Sequence, residues 1–180
     1  MNSENLVSSL EIEAEVTRRD LVAMNFYLMP RLKANWIFLL VVWVVMIGAV
    51  IYGVDRPLSP KDFKFILFDS AKGAIIAVAL GQLVCLVMML LMANEKSGHI
   101  GKHKFKIDEL HFVEETKSNQ TRTEWSGILS AHKTNAFILV RISSFLFHVI
   151  PKRSFSSASH YDLFLNDIRN RIAVSKESSQ

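Results

Sequence analysis

The sequence predicts an α+β membrane protein, in which a two-helix transmembrane hairpin is combined with a small antiparallel β-sheet domain closed by a C-terminal helix. Two uncharged apolar runs, Ala34–Val54 and Gly73–Ala93, predict the hairpin. As a helix, at ~1.5 Å per residue, each run spans about 31 Å, which matches a bilayer hydrocarbon core of about 30 Å. Alternating polar and apolar residues after Gly101 predict the strands, and apolar residues at helical spacing after Ser157 predict the closing helix.

Composition and charge favour a membrane protein over a nucleic-acid-binding one. Of the 180 residues, 50% are hydrophobic and 21% are charged, and the mean hydropathy of +0.23 is high for a soluble protein. The formal net charge of +4 is spread along the chain, with no basic run interleaved with aromatic residues, so we expect no nucleic-acid partner. The single cysteine, Cys85, lies within the second apolar run, where we interpret it as a packing residue and not as a reactive thiol.

The chain divides into three predicted segments. Residues 1–33 hold a strand and an amphipathic helix, residues 34–93 hold the hairpin, and residues 94–180 hold a β-rich domain with the C-terminal helix. From Leu10 to Val16 apolar residues alternate with glutamates, the pattern of a half-buried strand. The only sheet available to this strand follows the second apolar run, so we expect the hairpin to be an insertion within one small domain. Such an insertion would hold the domain at the membrane surface by both ends of the hairpin, which favours a fixed docking platform over a freely moving module.

Basic and aromatic residues border the predicted spans, about 34–54 and 73–93, and suggest their orientation. The residues expected at the membrane interface are Arg31, Lys33, Trp36, Tyr52 and Lys72. The flanks of the hairpin carry eight lysines and arginines against four in the connector. The positive-inside rule therefore predicts a multi-pass protein of the bacterial inner membrane with both termini in the cytoplasm.

Small residues predict how the two spans pack. The residues expected in the helix contact are Gly48, Gly53, Gly73, Ala77 and Gly81, with the closest approach near the connector. The indole of Trp43 and the amide of Gln82 are expected to face the partner helix, because lipid offers them no hydrogen-bond partner. Ser59-Pro60 predicts a helix start in the connector, and that helix either lies in the interface or extends the second span.

The residues after the hairpin predict an antiparallel meander and a helix. The predicted strands are 102–107, 110–115, 121–125, 136–142 and 145–150, residues 128–134 are an irregular connector, and the helix runs through Tyr161–Ile172. With the N-terminal strand this makes about six strands. A strongly bent antiparallel sheet closed by a C-terminal helix is the pleckstrin-homology architecture, although other small α+β folds share this order.

Three motifs resemble a known family. They are Lys104–Leu110, the Glu124-Trp125-Ser126-Gly127-Ile128 stretch, and Phe147–Phe155 with its Ile-Pro-Lys-Arg sequence. Together with the two spans before them, they are similar to the YcxB-like domain. The resemblance implies two N-terminal membrane spans and a small domain similar to bacterial pleckstrin-homology modules. The long turn at Lys117–Gln120 departs from the family pattern, and the family has no established reaction that could be transferred to this chain.

The sequence predicts no catalytic, cofactor-binding or metal-binding residue, so we expect a protein that is not an enzyme. His99 and His103 lie four residues apart, as metal ligands on a helix would. Gly98 and Gly101 interrupt that segment, however, and His103 fits the strand alternation. No glycine-rich phosphate loop or nucleophile elbow is present in the sequence.

One basic constellation is a candidate binding face. Its residues are Lys102, Lys104, Lys106, Lys152 and Arg153. Such a face could bind anionic lipid headgroups or a protein partner. The alternative is an ordinary solvated strand edge, which lysines protect against aggregation.

These observations favour an integral inner-membrane protein whose cytoplasmic pleckstrin-homology-like module binds a protein partner or an anionic lipid surface without catalysis. Membrane lipid and an unidentified protein are the expected partners, and homo-oligomers are left open. The alternatives are an immunity protein that neutralises a membrane-acting toxin, or an accessory subunit of a membrane complex. A compact hairpin without catalytic groups suits all three.

Overall fold

The computed structural model describes residues 10–55 and 57–178 of the chain. The elements in order are β1 (Leu10–Val16), α1 (Arg18–Leu28), α2 (Lys33–Tyr52), α3 (Pro60–Met92), β2 (Gly101–Ile107), β3 (His111–Thr116), β4 (Gln120–Glu124), β5 (Ser130–Lys133), β6 (Phe137–Arg141), β7 (Phe147–Pro151) and α4 (Ala158–Glu177). Short 3₁₀ turns follow β4 and β7. Two predictions involve residues outside the described part: the start of the N-terminal segment before Leu10, and Arg56 in the connector's basic count.

The described residues form two compact units. The first, here called the β unit, contains the chain up to Leu21 and the chain from Met92 onward. The second, the helical unit, is Val22–Leu91. The elements are those of an α+β protein with two long apolar helices, two antiparallel sheets and a C-terminal helix. These coarse features of the predicted fold are therefore confirmed.

The first sheet joins chain segments from both sides of the helical unit. Its order is β1-β2-β3-β4, and every neighbouring pair is antiparallel. Leu10 pairs with Ile107 at one end of the β1–β2 ladder and Val16 pairs with Gly101 at the other. The alternation of β1 buries Ile12 and Ala14 and leaves the intervening glutamates exposed. The expectation that Leu10–Val16 folds back onto the later strands is confirmed.

The second sheet corrects the predicted strand count. Its order is β5-β6-β7, which makes seven described strands where about six were predicted. Strand β5 lies inside residues 128–134, which were predicted to be an irregular connector. Its four residues are mostly polar, so the sequence shows no alternation of polar and apolar residues that would predict a strand. The strand forms because Ala131 pairs with Val140 of β6, and its carbonyl accepts a bond from Arg169 Nε of α4 at 3.2 Å.

Helix α4 closes the β unit. The Ser157 side chain caps its first turn by accepting a hydrogen bond from the backbone N–H of His160. Its buried side chains recur at helical spacing: Tyr161, Phe164, Leu165, Ile168 and Ile172. They join β-strand residues such as Phe105, Phe112 and Ile150 in one core. Burying each large apolar side chain contributes about 1.5–3 kcal/mol, so this face of α4 holds the helix against the sheets.

The helical unit contains two helices long and apolar enough to cross a membrane, α2 and α3. None of the described residues of α2 is buried, and α3 has only Ile66, Ser70, Ala74 and Val78 buried, each one turn apart. Helix α3 begins at Pro60 and runs without interruption to Met92. Of the two alternatives for the connector helix, the continuous extension of the second span is therefore the one observed.

Polar side chains join α2 to α3. The indole Nε1 of Trp43 donates to Ser70 Oγ at 3.2 Å and to the carbonyl of Leu67 at 3.3 Å. Gln82 Nε2 donates to Asn35 Oδ1 at 3.5 Å. The expectation that Trp43 and Gln82 bond to the partner helix is confirmed. This register places residues 67–73 of α3, including the exposed Asp69–Lys72 pair at 3.8 Å, beside Trp43 and Met46.

The helix contact differs from the one predicted from small residues. A Cβ placed on Gly73 would lie 2.5 Å from Met46 Cε, so Gly73 does allow close approach. A Cβ placed on Gly48 or on Gly81 would have no neighbouring atom within 4 Å. Gly53 faces only carbonyls of its own helix, and Ala77 is exposed. Of the predicted small residues, only Gly73 is close to the partner helix, whose Trp43 also bonds to Ser70.

Candidate functional site

The predicted basic strand is matched by an acidic strand. The register places Lys102 opposite Glu15, Lys104 opposite Glu13, and Lys106 opposite Glu11. Lys104 Nζ also lies 2.8 Å from Glu11 Oε1, and this hydrogen bond raises the pKa of Lys104. The outer face of β1 and β2 is therefore a ladder of alternating charge. Such pairing across strands stabilises the sheet and leaves little net positive charge for a headgroup.

Arg153, the last member of the predicted basic face, is 52% exposed, but its guanidinium is bound to other residues of the β unit. Its guanidinium donates to both carboxylate oxygens of Asp20 at 2.6 Å and to the carbonyl of Glu15 at 2.6 Å. Asp20 also accepts two bonds from Thr17 at 2.7 Å, which caps α1. Burial by itself would raise the pKa of Asp20, but the bonds from Arg153 and Thr17 outweigh it and hold that pKa below its ordinary value. Lys152 remains exposed.

Two buried histidines and a partly buried glutamate connect the two sheets, and we call them the His–Glu–His cluster. His103 Nδ1 lies 2.9 Å from Glu114 Oε1, and His148 Nδ1 lies 2.8 Å from Glu114 Oε2. His103 and Glu114 belong to β2 and β3 of the first sheet, whereas His148 belongs to β7 of the second. The two histidines are only 5% and 7% exposed. One carboxylate therefore bridges the sheets at their buried faces.

The electrostatics of the cluster favour an ionised glutamate. Burial alone would raise the pKa of Glu114, but the hydrogen bonds from His103 and His148 outweigh it and lower that pKa to about 2. An ionised carboxylate only accepts, so each imidazole donates its Nδ1–H. The Nε2 atoms of both rings are buried without a hydrogen-bond partner among the described residues. The rings pack on Phe105 and Phe112 instead, which makes this a structural clamp in an aromatic core.

The sequence analysis missed this cluster, although a signal was present. Alternation puts Glu114 on the same face as Phe112, His103 on the same face as Phe105, and His148 on the same face as Ile150. Three polar residues at core-facing positions of three strands require partners, because an unpaired buried polar group is costly. Neither Glu114 nor His148 was among the predicted site residues.

The residues considered as a metal pair lie in unrelated contacts. His99 Nδ1 is 2.7 Å from Ser97 Oγ, whereas His103 belongs to the His–Glu–His cluster. In the part of the chain that the structure describes, no group of three or more His, Cys, Asp and Glu residues is arranged to hold a metal ion.

An exposed apolar patch lies at the turn between β6 and β7. Phe145 is 81% exposed and Leu146 is 51% exposed. Leu129, 46% exposed, is connected to the start of this turn through Arg141, whose carbonyl accepts the Leu129 N–H, and its own carbonyl accepts from Lys176 Nζ at 3.1 Å. We call these five residues the β6–β7 patch. Residues 145–150 were predicted to be one strand; β7 instead begins at Phe147, which leaves Phe145 and Leu146 in the turn.

The predicted interface residues of the hairpin fall at different places on the helices. Trp36 lies in the first turn of α2, and its indole N–H donates to the Pro30 carbonyl at 2.9 Å. Arg31 lies over the Tyr27 ring at 3.9 Å, and Lys33 is exposed. Tyr52 ends α2 and is 92% exposed. Lys72 lies in the interior of α3, because that helix begins at Pro60.

Residues 107–166 match the family model of YcxB-like proteins. The resemblance inferred from the motifs is thus confirmed for this segment, about a third of the chain, with two long apolar helices N-terminal to it. The matched segment includes Glu114 and His148 of the His–Glu–His cluster, whereas His103 precedes it. No curated protein and no solved structure gives a significant match to this chain.

Proposed function

We propose that this chain is an integral membrane protein that presents its YcxB-like domain as a protein-binding module and acts by contact, without catalysis. The observation that carries the proposal is the pairing of Val16 with Gly101. These neighbours in one sheet are separated in sequence by both apolar helices. Because β1 and β2 form one ladder, the chain before α2 and the chain after α3 must lie on the same side of any bilayer that the helices cross.

The surface of the helical unit supports membrane insertion. The side chains of α2 are largely apolar and exposed, and the exposure of such a surface to water is unfavourable. In a bilayer the same side chains face hydrocarbon, and the helical backbone satisfies its own hydrogen bonds. The Asp69–Lys72 pair is compatible with this environment, because paired charges on a long helix are tolerated better than single ones.

The charge distribution supports an inner-membrane protein with cytoplasmic termini. The flanks of the hairpin carry twice as many basic residues as the connector, eight against four. The β unit would then lie in the cytoplasm. Its four-stranded and three-stranded antiparallel sheets with a C-terminal helix support a pleckstrin-homology-like arrangement.

The contacts of the basic residues favour a protein partner over an anionic lipid surface for the β unit. Glutamates neutralise the β2 lysines, and Asp20 binds Arg153. The β6–β7 patch, in contrast, exposes the large aromatic side chain of Phe145 and includes the cations Arg141 and Lys176. Neither of these two cations is paired with a carboxylate in the described parts of the chain. The patch therefore suits a partner with an apolar pocket and an acidic rim.

The membrane topology is tested with reporter fusions to the full chain. A reporter after Gln180 is expected to be active only in the cytoplasm, and one placed between Asp55 and Ser59 only in the periplasm. A periplasmic signal after Gln180 would overturn the orientation. A chain released from membranes by alkaline carbonate would overturn insertion itself.

The binding function is tested by cross-linking the full chain in native membranes and identifying the bound protein. Phe145→Asp is expected to reduce recovery of that protein at least tenfold. Leu163→Asp changes an apolar residue of α4 that is 63% exposed; it is the matched control and is expected to retain it. Equal recovery with both variants would exclude the patch. Recovery of a toxin would support the immunity alternative, and recovery of a large assembly the accessory-subunit alternative.

A further inference from the structure

An apolar groove of about 320 Å³ runs between the two helices of the helical unit. Its walls include Trp36, Leu40 and Trp43 of α2, with Ala71, Ala74 and Ile75 of α3. This volume is at the lower end of the range for small-molecule sites, about 300–1,000 Å³. The groove exists because two alanines of α3 stand opposite two tryptophans of α2, which leaves space that larger side chains would fill.

Hydrogen bonds hold both tryptophans of the groove in place. Trp36 donates to the Pro30 carbonyl at 2.9 Å, and Trp43 donates to Ser70 Oγ at 3.2 Å. Because each indole N–H is bonded to a protein acceptor, the apolar surfaces of the two rings can line the groove. Pre-positioned walls of this kind bind a flexible apolar chain better than mobile ones, because less side-chain freedom is lost on binding.

Two cations closely precede Trp36 in the chain, and Trp36 lines one end of the groove. Arg31 follows Pro30, whose carbonyl accepts the Trp36 N–H, and Lys33 begins α2. Arg31 bonds to the Tyr27 carbonyl at 2.7 Å and lies over the Tyr27 ring. Within the described residues, no carboxylate forms an ion pair with Arg31 or Lys33. An apolar slot that ends at two unneutralised cations has the charge pattern of an anionic lipid.

We propose that this groove binds one anionic phospholipid, with an acyl chain between Trp36, Trp43 and Ala74 and the headgroup phosphate at Arg31 and Lys33. The inference rests on the proposed membrane insertion and adds a specific lipid site to it. The acyl chain replaces the disordered hydrocarbon that would otherwise fill the groove. The cations select phosphatidylglycerol over the zwitterionic phosphatidylcholine, because only the former leaves a net negative charge beside them.

The test uses the full chain in nanodiscs that contain equal amounts of phosphatidylglycerol and phosphatidylcholine. Native mass spectrometry after release counts the lipids that remain bound. The wild-type protein is expected to retain one phospholipid, with phosphatidylglycerol at least fivefold enriched. Release of the protein without lipid, or with both lipids in equal amounts, would overturn the proposal.

Two pairs of variants separate the groove from the rest of the helix surface. Ala71→Leu fills the groove and is expected to lower the retained lipid at least fivefold, whereas Ala77→Leu, an exposed alanine outside the groove on the same helix, is expected to behave like the wild type. Replacing Arg31 and Lys33 with glutamine is expected to abolish the preference for phosphatidylglycerol, and replacing Lys61 and Lys64 is expected to leave it unchanged.

Two outcomes distinguish this site from the membrane proposal. If all variants enter nanodiscs but Ala71→Leu retains as much lipid as Ala77→Leu, the groove site is excluded and membrane insertion stands. If the wild-type chain does not enter nanodiscs at all, membrane insertion fails, and the lipid site fails with it.

Discussion

Arg153 and Asp20 form a bidentate ion pair that connects the turn after β7 to the first turn of α1. The Asp20 side chain is only 9% exposed, so its charge depends on the guanidinium and on Thr17 for compensation. The pair is formed between residues far apart in sequence, on either side of the whole helical unit. It therefore helps to hold the N-terminal segment on the β unit.

Replacing Arg153 with alanine is expected to destabilise the β unit by about 1–3 kcal/mol, because a largely buried carboxylate loses a charge-assisted partner. Arg153→Lys is expected to recover only part of this loss, since an ammonium cannot bond in the same bidentate way. The measurement is urea unfolding of the full chain in detergent micelles, followed by Trp125 fluorescence in a Trp36→Phe, Trp43→Phe background. The neighbouring exposed Lys152→Ala is the control, and an equal effect of both substitutions would refute the role of the ion pair.

Replacing Glu114 with glutamine is expected to destabilise the β unit by about 2–3 kcal/mol. The glutamine amide removes the charge and turns one acceptor into a donor, so one imidazole Nδ1–H loses its partner in a buried site. The same unfolding experiment measures the loss. Glu115→Gln, the next residue and exposed, is expected to change stability by less than about 0.5 kcal/mol. A Glu114→Gln protein as stable as Glu115→Gln would contradict the clamp.

Acid is expected to weaken the β unit through Glu114. Its pKa in the folded chain is about 2, below the ordinary value of 4.5. Its contribution to stability is therefore fully present above about pH 4.5 and is lost as the pH falls toward 2. The contribution is at most about 3 kcal/mol. Comparing wild type and Glu114→Gln at pH 6 and pH 3 isolates it, because the stability difference between the two should shrink at pH 3; a constant difference would disprove the linkage.

Glycine substitutions should distinguish the observed helix contact from the predicted one. At Gly73 the β-branched side chain of valine would displace the flexible end of Met46, and we expect destabilisation of the helical unit by up to about 1 kcal/mol. At Gly81 the space around the backbone is open, so Gly81→Ala is expected to be neutral or stabilising by up to about 1 kcal/mol through helix propensity. Thermal melting in detergent micelles, followed by far-UV circular dichroism, measures both. A lower melting temperature for Gly81→Ala than for Gly73→Val would reverse the assignment.

Local patterns predicted much of the fold. The uncharged runs predicted α2 and α3, period two predicted β1 and β2, and the spacing from Tyr161 to Ile172 predicted the core face of α4. Helix α1 ends at Leu28, two residues before Pro30, which cannot continue a helix. These features depend on residues close together in sequence, for which hydrophobic periodicity and backbone chemistry are informative. The four-residue β5 was not predicted, because its pairing with β6, and not its own composition, makes it a strand.

The candidate sites depended on contacts that local patterns do not specify. Lys102, Lys104 and Lys106 are a basic face in one strand, but the register of β1 places a glutamate opposite each of them. Arg153 similarly belongs to a basic stretch in sequence, but in the structure it forms an ion pair with the buried Asp20. The lysines of β2 considered by themselves therefore predicted a basic binding face, whereas the glutamates of the neighbouring β1 offset their charge.

By itself, the sequence determined the elements of this protein: two apolar helices, alternating strands, a closing amphipathic helix and the YcxB-like motifs. The tertiary structure alone decided which of them meet. It paired Val16 with Gly101, brought His103 and His148 onto the carboxylate of Glu114, and joined α2 to α3 through Trp43 and Ser70. The physical reason is that periodicity and propensity act over a few residues, whereas strand register and buried polar pairing depend on the packing of segments far apart in the chain.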